Sequence, residues 1–286
     1  MILVTGPTGN LGPGVLDQLR LGGAAVRAIA HTEASRATIE RYGAEAVDAD
    51  FDEPGTLEAA MAGCDGLFLL SPPHPAQPQR EMAAIDAAKR AGVRHVVALS
   101  IMGADQASPA AFGRWHAAID AHLAESGLDY TILRPAGFMQ VHLLPVQTVN
   151  AANSWFGMTG DGAAAYVDVN DVAAAAAGVL TTPGHGGQTY DLTGPEAITL
   201  PRAAVELGTA IGRDVAYIDL PAEAFHANLV GLGLPPWLTE AVVALYGAIR
   251  DGHAATVTNS VEQLTGRPAR SYREMLGSHT AAFVTT

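Results

Sequence analysis

Cysteine and positive charge are scarce in this chain. Its 286 residues include a single cysteine, which cannot form an internal disulfide bond, and 16 Lys and Arg residues against 29 Asp and Glu residues, a formal net charge of −13. A nucleic-acid surface needs an excess of positive charge, so this balance argues against a nucleic-acid partner. Because Cys64 precedes an apolar segment and has no basic neighbour in sequence, we expect a buried thiol rather than a nucleophile.

Long hydrophobic runs are also absent. The longest helical apolar stretch, residues 172–180, is about half as long as the roughly 20 residues that a membrane-spanning helix needs. The first predicted strand begins at Ile2, which leaves no room for a signal peptide. These absences predict a cytoplasmic protein without a membrane partner. The length allows one large domain or one and a half.

The most specific motif lies in the first dozen residues. A short apolar run, residues 2–5, breaks into Gly6-Pro7-Thr8-Gly9-Asn10-Leu11-Gly12, and a helix-like stretch follows at 13–22. Glycines allow a tight turn and a close approach to a ligand, while the start of a helix offers free N–H groups to an anion. A strand that turns through glycines into a helix is therefore suited to hold the pyrophosphate of a dinucleotide.

The next segments alternate between strand-like and helix-like patterns. Apolar strands are predicted at 24–30, 46–49, 66–70, 95–99 and 130–133, and helices at 57–62, 79–91 and 112–126. Apolar strands separated by amphipathic helices indicate an α/β fold, a doubly wound parallel sheet of the Rossmann type. The alternation stops after Arg134-Pro135, which predicts a dinucleotide-binding core over residues 1–135.

The second half, residues 136–286, has a mixed rhythm. A strand-like segment at 166–171 leads into a helix from Val172 with Asp171 as its N-cap, and with a strand at 189–192 it returns to the core over about 166–194. From about residue 199 a smaller, mostly helical portion is expected to cover the carboxyl ends of the strands and to bind substrate. Residues 236–250 have apolar residues at helical spacing, which predicts a core helix, with a pocket lid or a dimer face as alternatives. A homodimer stays open.

Several short motifs resemble one family along almost the whole chain. Besides the glycine loop they are Asp50-Phe51-Asp52, Leu70-Ser71-Pro72-Pro73, Leu133-Arg134-Pro135, Asp168-Val169-Asn170-Asp171-Val172, Tyr190-Asp191-Leu192-Thr193-Gly194 and Leu264-Thr265-Gly266-Arg267-Pro268. Together they resemble the NmrA-like group of atypical short-chain dehydrogenase/reductases. That group includes NAD(P)H-dependent reductases of quinones, azo dyes and triphenylmethane dyes, and redox-sensing regulators that bind dinucleotides.

The resemblance implies an enzyme that transfers hydride from the nicotinamide to a small conjugated acceptor such as a quinone or a dye. A quinone is itself electron-withdrawing, which would explain the absence of the Tyr-x-x-x-Lys pair that usually protonates a carbonyl oxygen. The alternative is a non-catalytic sensor that binds NAD(P) and changes its contacts with a partner.

The resemblance also implies cofactor contacts. It places Gly6, Thr8, Gly9, Asn10 and Leu11 around the pyrophosphate, Asp50 and Phe51 beside the adenine, and Ser71 and Pro72 at the ribose and nicotinamide side. The alternatives are that Asp50 is a turn residue and that the prolines end a strand.

The end of the second strand distinguishes NADP from NAD, because an acidic residue there would repel a 2′-phosphate. This chain has His31-Thr32 at that point, an acid only at Glu33, and Arg36 at the start of the next helix, where it could reach a phosphate. Many reductases of the family carry an arginine in place of His31. We therefore expect NADPH to be preferred to NADH, with His31 and Arg36 near the phosphate. The alternative for His31 is a solvated turn.

The predicted catalytic residues follow the fifth strand. His116 and Asp120 share one helix face at i,i+4 spacing, so the carboxylate could fix the imidazole tautomer or raise its pKa and leave His116 able to protonate an acceptor. A helix-surface ion pair is the alternative. Ser100 could supply a hydroxyl or cap its strand.

Apolar and aromatic side chains suit a flat conjugated ligand, although such residues more often fill cores. The substrate-pocket candidates are Phe112, Trp115, Phe138, Met139 and His142. No metal is predicted, since His185 has no second ligand at metal spacing and the remaining histidines are scattered.

Overall fold

Strands and helices alternate strictly in the first half of the computed structural model, which describes residues 1–283. The elements are β1 (Ile2–Val4), α1 (Gly12–Leu21), β2 (Val26–Ala30), α2 (Glu33–Arg41), β3 (Glu45–Asp48), α3 (Pro54–Met61), β4 (Gly66–Leu69), α4 (Gln77–Ala91), β5 (His95–Leu99), α5 (Ala111–Glu125) and β6 (Asp129–Pro135). Each predicted strand and helix of this half is present, with ends that differ from the prediction by a few residues.

The second half is more irregular. It begins with a 3₁₀ turn (Met139–Leu143) and continues with α6 (Val146–Ala152), β7 (Ser154–Gly157), β8 (Ala163–Ala164), α7 (Val169–Thr181), β9 (Gln188–Leu192), β10 (Ile198–Thr199), α8 (Leu200–Ile211), β11 (Ala216–Asp219), α9 (Ala222–Gly231), α10 (Pro236–Arg250), α11 (Ser260–Thr265), α12 (Tyr272–Gly277) and a final 3₁₀ turn (Thr280–Phe283). The mostly helical character predicted for the end of the chain is confirmed.

The central sheet has seven parallel strands in the order β3-β2-β1-β4-β5-β6-β9. Strand order reverses between β1 and β4, which makes a crevice at the carboxyl ends of these two strands, the place where open α/β sheets bind ligands. Successive residues of β1 point to opposite faces: Ile2 and Val4 pack with α1 and α7, and Leu3 packs with α3 and α4. This confirms the doubly wound α/β fold.

The later segments build an apolar cluster of their own. Trp155, Leu200, Leu207, Tyr272 and Met275 are buried in it, together with other residues of the 3₁₀ turn, β8, β10, α8 and α12. Two small sheets, β8 with β10 and β7 with β11, support this cluster. The division at residue 135 stays a prediction.

The entry to α7 differs from the prediction. Residues 166–168 are not a strand, since Val167 makes only an isolated bridge to Phe138, and the helix begins at Val169. Asp168 is its N-cap, with a carboxylate that accepts the N–H of Asn170 at 2.7 Å. The predicted N-cap, Asp171, lies in the first turn, is fully buried and pairs with Arg270. Both residues are plausible caps in sequence, and the ion pair from the distant C-terminal segment decides between them.

Two further expectations concern burial. Cys64 is buried, as predicted, and burial raises the pKa of its thiol. The predicted core helix at 236–250 is confirmed for one side of α10 only: Ile249 is buried and Val242 packs on the cluster of Met158, Phe225 and Leu229, whereas Leu245 is 40% exposed. Its exposed side leaves the lid and dimer alternatives open.

Candidate functional site

The glycine loop lies at the topological switch point and is fixed to the neighbouring strand. The Thr5 hydroxyl accepts the N–H of Leu70 at 2.7 Å, which ties the end of β1 to the end of β4. Gly6 has φ = +61°, a conformation that other residues resist. A Cβ on Gly12 would lie 2.3 Å from the Gly6 carbonyl oxygen, so the loop closes tightly on the start of α1.

The start of α1 leaves backbone N–H groups free for an anion. No side chain in residues 1–283 caps this helix, and its first intrahelical bond is from Val15 N–H to the Leu11 carbonyl at 3.2 Å. Thr8, Gly9 and Asn10 are exposed beside it. Leu11 is buried in the core, so it can serve a ligand only through its backbone. Exposed loop, free N–H groups and helix dipole together fit a pyrophosphate.

Two basic residues, His31 and Arg36, follow β2 at the predicted phosphate site. His31 is exposed after β2, and Thr32 caps α2 through reciprocal bonds with Ser35. Arg36 donates to the Ala46 carbonyl at 3.0 Å and to Asp48 at 2.7 Å. The predicted phosphate contact of Arg36 therefore has a competitor, the Asp48 carboxylate, which no sequence pattern indicated.

The predicted adenine contacts lie after β3. Asp50 is exposed, but its carboxylate accepts the N–H of Asp52 at 2.9 Å, so it is also a turn residue. Phe51 is buried in the apolar cluster below α3 and α4. Asp50 can still face an adenine, whereas the ring of Phe51 serves the core.

Ser71 and Pro72, which are predicted to lie at the ribose and nicotinamide side, follow β4 at the crevice. Pro72 is exposed, and Ser71 is buried with its hydroxyl donating to Glu81 Oε1 at 2.6 Å. Gln77 donates to the same oxygen at 3.0 Å. Burial raises the pKa of Glu81 to about 7, partly offset by these two hydrogen bonds. Glu81 was not among the predicted residues, although it shares the buried face of its helix with Ala84, Ile85 and Ala88, a position unusual for an acid.

Ser100 and Asp120 lie together in the structure, with Arg134 rather than the predicted His116 as the partner of the Asp120 carboxylate. Asp120 Oδ2 accepts from Ser100 Oγ at 2.9 Å and from Arg134 Nε and Nη2 at 3.0 and 2.8 Å. Burial raises the pKa of Asp120, and the bonds from Arg134 and Ser100 oppose that effect.

His116 differs from the expectation. Its ring is buried, Nδ1 has no hydrogen-bond partner within the described chain, and the carboxylate of Asp120 bonds elsewhere. Burial, and then the charge of Arg134, lower the pKa of His116 to about 4. The predicted rise in pKa is wrong, because desolvation and a cation outweigh the nearby acid. A neutral His116 can donate or accept a hydrogen bond but carries no spare proton at neutral pH.

The predicted pocket residues separate into two groups. Phe112 and Trp115 are half-buried on α5 with ring centroids 5.6 Å apart, and Phe138 is half-buried after β6. The ring centroid of Trp237, at the start of α10, lies 5.9 Å from that of Trp115. No spacing in the sequence links Trp237 to α5, so only the fold identifies it as part of this aromatic wall.

Met139 and His142 are buried instead in the core of the second half. The His142 ring lies edge-on to Trp155, Tyr166 and Tyr272, with centroids 4.3 to 5.4 Å away. As pocket side chains these two are wrong predictions, because the 3₁₀ turn points them inward.

The comparisons with known proteins agree with this geometry. A family model described as NAD(P)H-binding matches residues 6–183. The chain belongs to this NAD(P)H-binding family. The matched region contains the glycine loop, the crevice and the Ser71, Ser100 and Asp120 positions.

Relatives extend over the full length. The chain is 36% identical over 283 residues to the NAD(P)H azoreductase of Xenophilus azovorans, with 99% of both chains covered. It is 35% identical over 284 residues to the (4-alkanoyl-5-oxo-2,5-dihydrofuran-3-yl)methyl phosphate reductase of Streptomyces griseus, again with 99% of both covered. The NADPH complex of the NADPH-dependent quinone oxidoreductase of Escherichia coli matches with a TM-score of 0.89 and 30% identity, covering 97% of this chain and 99% of that one. The predicted family and the NAD(P)H cofactor are confirmed.

No helix within residues 1–283 is long and apolar enough to cross a membrane. Over the same residues, no group of three or more His, Cys, Asp or Glu side chains is arranged to hold a metal ion.

Proposed function

We propose that this protein is an NAD(P)H-dependent oxidoreductase that reduces a small, electron-poor conjugated acceptor. The observation that carries the proposal is a shared edge of the sheet: the start of α1 with its free N–H groups, Ser71 and Ser100 follow the neighbouring strands β1, β4 and β5, and both serines bond to a buried acid. When bound, the reduced nicotinamide supplies a hydride. The relatives are named as reductases of azo, dihydrofuranone and quinone compounds, and each of these compounds contains a conjugated double bond, which supports this substrate class.

The residues of the chain have distinct roles in this proposal. The loop from Gly6 to Gly12 and the free N–H groups of α1 bind the pyrophosphate, so the nicotinamide end extends towards Ser71 and Ser100. Asp120 and Arg134 hold the Ser100 hydroxyl in place. His116 remains our candidate for a hydrogen bond to the acceptor as a neutral imidazole.

The aromatic wall is proposed to stack on the acceptor and to exclude water. Trp115 and Trp237 come from different helices, α5 and α10, so a flat molecule that fits against both rings is held relative to the strand ends.

The test is a titration of the purified protein with NADPH and NADH, followed by addition of a quinone or an azo dye while the absorbance of the reduced nicotinamide is recorded. We expect saturable oxidation that depends on the acceptor. Trp237→Ala should raise the acceptor KM about tenfold, the value of one lost aromatic stack and its buried area, with NADPH affinity unchanged. Leu245→Ala, on the exposed side of the same helix, is the matched control and should change neither.

Binding of NADPH without oxidation by any electron-poor acceptor would contradict the proposed activity and favour a dinucleotide sensor. An unchanged acceptor KM in Trp237→Ala, with turnover intact, would contradict the placement of the acceptor against the aromatic wall.

A further inference from the structure

Glu81 is a buried acid with no counter-charge of its own. It is 1% exposed, on the face of α4 that packs into the core. Its Oε1 accepts from Ser71 Oγ and Gln77 Nε2, both neutral groups, and its Oε2 has no hydrogen-bond partner in the part of the chain that the structure describes. An ionised carboxylate in this position would be costly.

Asp120 has a closely similar arrangement one strand further along the sheet. Ser71 follows β4 and bonds to an acid on the next helix, and Ser100 follows β5 and bonds to an acid on the helix after it. The helices α4 and α5 pack on each other. Asp120 also keeps one buried oxygen, Oδ1, without a partner among residues 1–283.

The charges around the two acids do not balance if both are ionised. Arg134 on β6 is bonded to Asp120, and buried His116 on α5 is neutral at pH 7. Other charged groups on α4 or against it are bonded elsewhere: Arg80 pairs with Asp52, Arg90 with Glu58 and His122 with Asp86, and Lys89 donates to the Ser126 carbonyl. Among residues 1–283, the partly exposed Arg134 is therefore the counter-charge of Asp120, and Glu81 has none.

We propose that Glu81 and Asp120 act as one acid pair that holds a single proton, and that Glu81 is thereby a positioning residue for the Ser71 hydroxyl beside the nicotinamide. With one proton, the cluster of Glu81, Asp120 and Arg134 is neutral. The protonated acid can donate, directly or through a water molecule, to the unpartnered oxygen of the other. This inference rests on the proposed function for its catalytic consequence, and on the buried geometry for the pair itself.

The shifts of the individual groups agree with a shared proton. Burial first, and to a smaller extent the charge of Asp120, raise the pKa of Glu81 to about 7, against the hydrogen bonds from Ser71 and Gln77. Above that pH, a second buried negative charge repels the first, and we expect the two carboxyl groups to move apart together with the serine hydroxyls that bond to them. We expect reductase activity to fall there.

The test compares wild type with Glu81→Gln. Glutamine keeps an oxygen for the Ser71 hydroxyl and replaces the second oxygen with an N–H donor, so it imitates the protonated acid at every pH. In wild type we expect kcat/KM for the acceptor to fall about tenfold per pH unit once the acid pair loses its proton. In Glu81→Gln we expect kcat/KM to stay constant over the same pH range, and at low pH the two enzymes should agree within about twofold. Glu58→Gln, which removes a surface pair, is the matched control and should retain the wild-type profile.

A second readout needs no acceptor. Exposed carboxyl groups are ionised at neutral pH, so the infrared band of a protonated carboxyl should be visible below the transition in wild type and absent in Glu81→Gln. Asp120→Asn removes the neighbouring negative charge and should move the loss of this band to lower pH.

The outcomes separate the two proposals. If no acceptor is reduced by wild type at any pH, the proposed function fails while the infrared band still decides the acid pair. A Glu81→Gln enzyme that keeps the wild-type fall above the transition, or that folds but is inactive at low pH, would overturn the role of Glu81. A carboxyl band that is absent in wild type, or unchanged in Glu81→Gln, would overturn the shared proton.

Discussion

Replacing His142 with leucine should make the protein markedly more resistant to acid. The imidazole is fully buried among Trp155, Tyr166 and Tyr272, and neither ring nitrogen has a hydrogen-bond partner within residues 1–283. Burial lowers the pKa of His142 from the ordinary value of 6.5 to about 3. Below pH 6.5 the unfolded chain takes up a proton on this ring and the folded protein does not, so acid favours unfolding.

The size of the effect follows from the shift. Each pH unit between 6.5 and about 3 costs wild type about 1.4 kcal/mol of unfolding free energy, which amounts to about 2 kcal/mol at pH 5. Leucine has a similar volume and no titrating group. The effect of leucine on packing, whether stabilising or destabilising, is the same at every pH. The change with pH in the difference between the unfolding free energies of variant and wild type therefore measures the protonation of His142.

The assay is urea unfolding of both proteins at pH 7 and pH 5, with the free energy obtained by linear extrapolation. We expect His142→Leu to gain about 2 kcal/mol on wild type between the two pH values. His226→Leu is the control, because His226 is exposed on α9 and water surrounds its ring before and after unfolding. A difference between His142→Leu and wild type that is the same at both pH values would refute the reasoning.

Two further predictions concern the cofactor. Gly12→Ala should unfold the loop or abolish NADPH binding, since its Cβ would lie 2.3 Å from the Gly6 carbonyl oxygen. A Cβ on Gly9 would lie 3.6 Å from that oxygen, an ordinary van der Waals contact, so Gly9→Leu should melt like wild type and lose NADPH binding because its side chain fills the pyrophosphate site. Circular dichroism and a fluorescence titration would show both effects, and wild-type affinity in Gly9→Leu would contradict the site. Asp48→Asn should raise the affinity for NADPH about threefold to tenfold and leave the affinity for NADH within about twofold, because it frees Arg36 and removes a nearby negative charge. Equal changes in both affinities would contradict this placement of the 2′-phosphate.

The acid cluster shows why the site was only partly predictable. Ser71, Ser100 and Asp120 could be selected because each stands at a strand end or on the following helix, a rule that depends on local order in the chain. The partner of Asp120 could not be selected in this way, because His116 is four residues away on the same helix, whereas Arg134 reaches Asp120 from β6. Distance along the chain favoured the histidine, and the geometry of the side chains favoured the arginine.

Burial was the other limit. Met139 and His142 are predicted pocket residues and Phe51 is a predicted adenine contact, but all three side chains are buried in apolar clusters. Trp237 lies 122 positions from Trp115 and yet contacts its ring. Which aromatic residue faces a ligand and which fills a core depends on how the C-terminal helices pack, a property that no local pattern contains.

The sequence by itself determined the parallel sheet, the glycine loop at its switch point and the family, because strand and helix periodicity and tight-turn glycines act over a few neighbouring residues. Tertiary structure alone decided the charge state of the site. The pKa shifts of Glu81, Asp120 and His116 follow first from burial, and those of Asp120 and His116 also from Arg134, which requires elements far apart in the chain to be brought together.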